Sequence, residues 1–342
     1  MKRDKAIETI KERPEESHLD ELIDMQESNS PRDMKINKNI IFTFIVLLII
    51  SCSENNNEIN PTVNSPSFDA EKNVNIIGLT FDAMEPFISP DGNYLFFNNI
   101  NDGINTKLFY ATKINDSTFT FVGEIMGTNQ IAVPHLDAVA DMDSNSNFYW
   151  TSTRNYPTEL DNLFHGTFNS GNVINIERVH GDFNMNIAGW LIMDHGISID
   201  GEFLYYNNAK FDSQNCQGPC ETNIGVAKKV NSTTFNKLSN SETILQNIND
   251  ANYIYYAPFI SSDNLELYYT RYLKGLITEN TIFEICVAVR NNSSETFSTP
   301  QVLFSETTSN LIEAPTLTID KKIMYYHKKT PNSHKIVMRS RI

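Results

Sequence analysis

The chain has 342 residues, of which 40% are hydrophobic and 11% aromatic, and its formal net charge is −15 at pH 7. The hydrophobic share is enough to bury a core, and the length exceeds that of a usual single core, although repeat architectures reach it as one unit. The negative charge disfavours nucleic acid and anionic membrane surfaces as partners, because both repel an acidic surface.

Residues 1–33 form a charged extension, after which the chemistry changes abruptly. Two lysines follow Met34 and precede an apolar run at 40–50. A positive end, an apolar centre and a small residue before a cleavage point are typical of a secretory signal. The run is also shorter than the roughly 20 apolar residues that a membrane-spanning helix needs. We therefore predict a signal peptide at 34–51, with Met34 as the true start and a miscalled start codon upstream. The alternative is a cytosolic extension ahead of an uncleaved anchor.

The end of this signal resembles the lipoprotein box of bacteria, in the letters Ile49-Ile50-Ser51-Cys52. The resemblance implies cleavage before Cys52 and attachment of lipid to that residue. Ser53 directly after it implies the outer membrane of a Gram-negative envelope, and leaves open whether the protein faces the periplasm or the outside. Residues 52–70 are rich in Asn, Ser and Pro with few apolar side chains, which is typical of a flexible tether. The membrane, through this lipid anchor, is therefore a predicted partner.

From residue 71 to residue 342 one pattern recurs five times. Its first copy, at 85–97, has an apolar strand, the dipeptide Asp91-Gly92 and a second apolar strand. Two adjacent residues that tolerate positive φ predict a hairpin with a two-residue type I′ turn. The later copies place the corresponding turn aspartate at Asp143, Asp200, Asp263 and Asp320.

An aromatic pair follows each turn: Phe96-Phe97, Tyr149-Trp150, Tyr205-Tyr206, Tyr268-Tyr269 and Tyr325-Tyr326. Adjacent residues of a strand point to opposite faces of a sheet, so two bulky neighbours indicate that both faces are covered. Blades arranged around an axis meet this requirement, because each packs against a neighbour on both sides.

A third strand is predicted after each hairpin, at 107–113, 162–168, 223–229, 283–290 and 335–339. A fourth follows in the first four copies, whereas the fifth copy ends too soon for one. An orphan strand at 74–79 could complete the last blade and so close the ring, which removes open sheet edges. We therefore predict an all-β fold, a five-bladed β-propeller closed by an N-terminal strand. A sixth, eroded blade near 173–191 is the alternative.

Ser89-Pro90-Asp91-Gly92, with Tyr94-Leu95-Phe96-Phe97 after it and a Glu-Pro pair before it, resembles the WD40-like repeat of TolB-type β-propellers. Weaker copies begin at Ser198 and Ser261, and the resemblance covers roughly residues 74–342. It implies a rigid disc that binds proteins, peptides or glycans. It carries no shared catalytic residues that could be transferred to this chain.

The remaining cysteines and one tryptophan have structural interpretations. Cys216 and Cys220 lie in a Gly-Pro loop of the third copy, and in an exported protein such a close pair most often forms a local disulfide. A metal site is the alternative, although the pair alone supplies two ligands of four. Cys286 lies inside an apolar strand and is predicted to be a buried thiol. Trp190 could be a sugar platform or a binding hot spot, but a position in the hydrophobic core is favoured.

Acidic residues precede four of the five innermost strands, at Glu85, Asp137, Asp194 and Glu313. The first strand of each propeller blade lines the central channel, so these side chains could meet at one end of it. Carboxyl groups gathered there would raise one another's pKa values, hold a cation, or act as the acid and base of a glycosidase. The structural interpretation is that they accept backbone hydrogen bonds or face solvent.

No phosphate-binding loop, Gly-x-Ser-x-Gly or His-Glu-x-x-His motif occurs, and we predict neither cofactor nor metal. Two functions remain. The first is a lipid-anchored binding or scaffold module for an envelope protein or polymer, which the absent catalytic motif favours. The second is an exported carbohydrate-active hydrolase or lyase that uses the four candidate carboxyl groups. A pocket in which acids meet would favour the second.

Overall fold

The structure, a computed structural model, describes residues 65–130, 132–211, 216 and 218–342. The charged extension, the signal peptide, Cys52 and most of the tether lie outside these residues. Within the described ranges, no helix is long and apolar enough to cross a membrane.

Five sheets follow one another along the chain as blades 1 to 5, and their first strands contact each other in a closed ring. The protein is therefore a five-bladed β-propeller, as predicted. From the inside outward, the strands are Met84–Ile88, Tyr94–Asn98, Leu108–Asn115 and Thr118–Glu124 in blade 1; His135–Met142, Asn147–Ser152, Leu163–Asn169 and Asn172–Arg178 in blade 2; Trp190–Ile197, Phe203–Phe211, Pro219–Asn231 and Thr234–Lys237 in blade 3; Tyr253–Ile260, Glu266–Leu273, Ile282–Val289 and Gln301–Thr307 in blade 4; and Ile312–Leu317, Ile323–Thr330 and Ser333–Ser340 in blade 5.

The ring is closed by an N-terminal strand, but by an earlier one than predicted. Lys72–Asn73 pairs antiparallel with the third strand of blade 5 and completes that blade. Asn75–Ile77, which belongs to the predicted orphan strand, pairs in parallel with the outer strand of blade 1 instead. The N-terminal segment thus covers two adjacent sheet edges, which leaves neither open for pairing with another chain.

Three smaller features complete the fold. Asn105–Thr106 pairs in parallel with the start of His135–Met142 in blade 2. A short helix, Ser241–Ile244, and a 3₁₀ turn, Thr308–Asn310, connect blades 3 to 4 and 4 to 5. Residues 173–191, all of which are described, hold the outer strand of blade 2, a loop and the first two residues of the innermost strand of blade 3, so the six-bladed alternative is wrong.

The aromatic pairs lie on both faces of their blades, as their spacing predicts. Phe96 packs with Trp150 between blades 1 and 2, whereas Phe97 packs in the cluster of Tyr325 between blades 5 and 1. The other pairs divide in the same way, so five clusters fill the five interfaces of the ring. Because burying one such ring contributes about 1.5–3 kcal/mol, these pairs supply a large part of the free energy that holds the blades together.

The hairpin turns differ from the predicted type I′. Gly92 N–H donates to the Ser89 carbonyl at 2.8 Å, which makes Pro90 and Asp91 the central residues. Proline locks φ near −65°, so a type I′ turn is impossible there. The Ser89 hydroxyl donates to the Asp91 carboxylate at 2.6 Å, and only Gly92, with φ of 72°, adopts the left-handed conformation.

The same hydroxyl-to-aspartate bond recurs in blades 3, 4 and 5, but blade 2 is built differently. There Asp143 takes the position of the serine, since Ser146 N–H donates to its carbonyl at 3.2 Å. Its carboxylate accepts from the N–H groups of Asn145 and Asn147. The prediction that Asp143 is equivalent to the other turn aspartates was therefore wrong by two positions.

The cysteines and Trp190 also have places in the fold. Cys216 and Cys220 are joined by a disulfide at the start of the third strand of blade 3, with 5.5 Å between their Cα atoms. Cys286 is a buried free thiol between blades 3 and 4. Trp190 begins the innermost strand of blade 3 and is half-buried rather than core, with the Lys210 ammonium group 5.9 Å from its ring centre.

Candidate active site

The innermost strands share one irregularity, which positions the candidate acids. In four blades a break in the ladder lies just before the residue that pairs with the first aromatic of the pair, and in blade 3 the break lies two residues earlier, between Ile192 and Asp194. In four blades a non-glycine residue adopts a positive φ of 50–56° at this level: Glu85, Val139, Ala257 and Ala314. Asp194 occupies the same position in blade 3. Bulges of this kind bend a strand and redirect its side chains, and they cluster at functional sites.

A cavity of about 580 Å³ lies at the end of the channel where the innermost strands begin, and all five blades contribute to its wall. This volume is within the range of small-molecule sites. Three of the four predicted acids line it, namely Glu85, Asp194 and Glu313. Glu85 and Asp194 stand on the bulges themselves, whereas Glu313 lies one residue before the bulge of blade 5.

Asp137 does not join them, and its place corrects the expectation that all four acids meet. It lies two residues before the bulge of blade 2 and is fully buried away from the cavity. Its carboxylate accepts the Gln130 N–H at 2.9 Å and lies 3.8 Å from the Arg154 guanidinium. These contacts give Asp137 the structural role that the alternative interpretation assigned to all four.

The surroundings of Glu85 favour its protonated form. One carboxyl oxygen accepts the Asn101 side-chain N–H at 2.5 Å, and the other is buried with no partner among the described residues. Burial raises the pKa of Glu85 well above its usual range, and the nearby carboxyl groups of Asp194 and Glu313 raise it further, against hydrogen bonding by Asn101 and Asn98. Burial and the neighbouring acids both disfavour the carboxylate.

Glu313 is held in the opposite state. Burial disfavours its charge, but hydrogen bonding and the charge of His327, together with the Tyr256 hydroxyl, outweigh burial and lower its pKa. The Tyr256 hydroxyl donates to one oxygen at 2.8 Å, and His327 Nδ1 lies 2.8 Å from the other. His327 Nε2 is 2.7 Å from Nδ1 of His334, which is half-buried. Glu313 is therefore an ionised carboxylate with a chain of two imidazoles behind it.

The pKa of Asp194 lies between those of Glu85 and Glu313. Burial raises its pKa to about 7, against the backbone N–H of Ala257, which favours the carboxylate. One of its oxygens, Oδ2, is buried and has no partner within the described part of the chain. Its own N–H donates to the Asn207 side chain at 2.8 Å, which fixes the backbone at this bulge.

The pKa values of three carboxyl groups in one cavity are thus shifted in different directions, an arrangement that acid and base chemistry uses. Across the described residues, no group of three or more His, Cys, Asp or Glu side chains is placed to hold a metal ion.

Two members of the site were missed by reasoning from the sequence. Tyr256 precedes Ala257, the blade 4 residue that lacks an acid, and its hydroxyl reaches across to blade 5. His327 directly follows the aromatic pair of blade 5. The sequence does show that Tyr256 and His327 are polar residues next to positions of the repeat. It does not show that both side chains point at Glu313.

Solved structures with a similar fold act on different molecules. An endo-arabinase from Bacteroides thetaiotaomicron is 13% identical, with a TM-score of 0.46 over 82% of this chain and 98% of that chain. An α-L-arabinofuranosidase from Podospora anserina is 10% identical, with a TM-score of 0.47 over 81% and 95%. A luciferin-regenerating enzyme is 11% identical, with a TM-score of 0.44 over 80% and 95%. Comparisons with protein-family models and with curated proteins find no match.

Proposed function

We propose that this chain is a glycoside hydrolase whose active site is the cavity at the open end of the channel. One observation carries the proposal: one cavity is lined by Glu85, whose buried surroundings raise its pKa, and by Glu313, whose contacts with His327 and Tyr256 lower its pKa. Glycoside hydrolysis uses such a pair of carboxyl groups on either side of the scissile bond. The cavity favours this function, the second of the two predicted from the sequence, over a pure binding module.

In the proposed reaction, Glu85 donates its proton to the glycosidic oxygen as the bond from that oxygen to the anomeric carbon breaks. Glu313 supplies the electron pair on the other side, either by attacking the anomeric carbon or by taking a proton from the water that attacks it. Asp194, with a pKa of about 7, offers negative charge near the carbon as positive charge develops there.

A hydrolase is favoured over a lyase by the charge of the cavity. Lyases that cleave uronate sugars must bind a carboxylate next to the proton they remove. Here three carboxyl groups line the wall and Lys329 is the one cationic side chain among the described lining residues. An anionic sugar would be repelled, whereas a neutral glycoside would not.

The location remains the one predicted from the sequence. We propose that Cys52 carries a lipid and that the propeller works at the cell envelope, on a tether at 52–70; the TolB-type assignment likewise stays a prediction. Changing Cys52 to Ser is expected to release the protein from the membrane fraction. Retention there with residues 1–51 uncleaved would contradict the lipoprotein assignment.

Hydrolysis by the full chain tests the proposal, read as release of reducing ends from a panel of neutral glycosides and oligosaccharides. Glu85→Gln keeps the size of the side chain but carries no transferable proton, so kcat is expected to fall about 10²–10⁴-fold. Glu242→Gln is the control, because that side chain is 89% exposed and far from the cavity in the fold. Absence of hydrolysis by the unaltered chain, or unchanged kcat in Glu85→Gln, would contradict the function.

A further inference from the structure

Much of the cavity wall beside the acids is apolar. Six of its residues are half-buried hydrophobic side chains that line the cavity: Leu136, Val139, Leu191, Met193, Ile277 and Leu311. Phe283 and Tyr272, both almost fully buried, lie behind this surface in blade 4. Apolar surface that lines a cavity of this size favours a ligand with apolar surface of its own.

Five neutral polar side chains of the wall each make a hydrogen bond within the protein. The Asn162 amide both donates to and accepts from the backbone of Ile192, at 2.7 and 2.8 Å. The Thr151 hydroxyl donates to the Ala138 carbonyl at 3.2 Å. The other three also have protein partners: Asn101 with Glu85, Thr153 with the Leu136 N–H and Thr308 with the Thr278 carbonyl.

An unmodified sugar placed against the six hydrophobic side chains would lose hydrogen bonds to water that those side chains cannot replace. Each buried hydroxyl left without a partner costs about 1–3 kcal/mol. A sugar ring has several hydroxyl groups, and the carboxyl oxygens without partners on Glu85 and Asp194 can accept hydrogen bonds from only some of them. The wall is consequently the wrong surface for a second sugar ring.

We infer that the substrate is a neutral glycoside with an apolar aglycone, an aryl or alkyl group, and that the aglycone lies against the wall of Leu136, Val139, Leu191, Met193, Ile277 and Leu311. The sugar ring faces the acids, so the glycosidic oxygen lies between the two parts of the cavity. This inference rests on the proposed function, because only a hydrolase would make the bound glycoside a substrate. The apolar subsite itself is tested by binding alone.

The test uses N-phenyl-1-naphthylamine, a neutral apolar dye whose fluorescence rises in apolar surroundings, with the full chain. We expect saturable binding, weakened about tenfold by Leu191→Gln, since removing about 50 Å² of apolar contact corresponds to roughly a factor of ten. Ile187→Gln is the matched control, because Ile187 is 52% exposed on the preceding loop and outside the cavity. Dye bound elsewhere on the chain is common to all variants and cancels in the comparison.

Leu311→Gln is a second variant on the opposite side of the wall, in case Leu191→Gln does not fold. Hexyl glucoside is expected to displace the dye at a concentration at least tenfold lower than methyl glucoside. Equal dye binding in the wall variants and in Ile187→Gln, or equal displacement by the two glycosides, would overturn the inference. Hydrolysis without preferential displacement would leave the proposed function intact, whereas preferential displacement without hydrolysis would overturn that function alone.

Discussion

The two ends of the central channel both contain buried acids, but only one end contains a cavity. At the open end, Glu85 and Asp194 each have a buried carboxyl oxygen with no described partner, beside about 580 Å³ of space. At the other end, hydrophobic residues such as Phe87, Ile197 and Phe259 leave about 30 Å³. That is room for about one water molecule.

Asp141 shows what a buried acid does at the closed end. It accepts the N–H of Ile197 at 3.0 Å and the N–H of Met142 at 2.6 Å, one with each oxygen. Burial raises its pKa well above the usual range, as it does for Glu85. Burial and a raised pKa therefore do not distinguish a site from a structural acid. Unpartnered oxygens beside an open volume do.

The largest difference in stability is expected when an aspartate is replaced by asparagine at each end of the channel. At the open end this residue is Asp194. The pKa of Asp194 is about 7 in the folded chain and near 3.8 when unfolded, so the folded state binds the proton more tightly. Folding stability is therefore lost as pH rises from about 4 to 7. Asp194→Asn removes this loss and should raise the free energy of unfolding at pH 8 by up to about 4 kcal/mol, with no gain at pH 4. Urea unfolding at the two pH values measures it, and an equal effect at both would contradict the assignment.

Asp141→Asn should lower stability at pH 4, where Asp194→Asn brings no gain. The amide has one acceptor oxygen, so one of the two backbone N–H groups loses its partner, at a cost of about 1–3 kcal/mol. Thermal unfolding at pH 4, where a raised pKa costs the folded state little, provides the comparison with Asp194→Asn, and hydrolysis per folded molecule should stay within about twofold. A stabilised Asp141→Asn would show that the closed end also contains an unsatisfied acid.

His327→Gln is expected to shift the pH dependence of hydrolysis. Without the imidazole the Glu313 carboxylate loses the main group that lowers its pKa, so this pKa rises. Activity that is lost as pH falls through that pKa should then be lost at a higher pH, while the alkaline limb, set by Glu85, stays in place. His334→Gln, one residue farther from Glu313, should cause a smaller shift in the same direction. If the acidic side of the pH profile of hydrolysis does not move in His327→Gln, His327 does not lower the pKa of Glu313.

The smallest effects concern the turns of the closed face. Gly92 and Gly201 both have positive φ, 72° and 74°, so Ala at either is expected to cost about 1 kcal/mol in backbone strain. A Cβ on Gly92 would meet nothing within 4 Å, whereas one on Gly201 would lie 2.4 Å from an Asp143 carboxylate oxygen. Gly201→Ala should therefore lower the melting temperature more than Gly92→Ala does. Equal melting temperatures would mean that Asp143 moves aside freely.

Reasoning from the sequence was most successful where a feature repeats. The aromatic pairs predicted blades covered on both faces because alternation along a strand is a property of the strand alone. The turn type was mispredicted because Asp91-Gly92 was interpreted without Pro90, which forces the hydrogen bond to begin at Ser89. The closing strand was placed a few residues late, because a short edge strand carries little pattern of its own.

The sequence by itself determined the number of blades, the paired aromatic cores and the presence of acids near the start of the innermost strands. Only the tertiary structure decided which acids meet. Asp137, Glu85 and Glu313 stand at different positions relative to the bulges, and a bulge changes the direction in which the side chains around it point. The pKa values of Glu85 and Glu313 then depend on Asn101 and His327, each within the same blade as its acid, and on Tyr256 from the neighbouring blade.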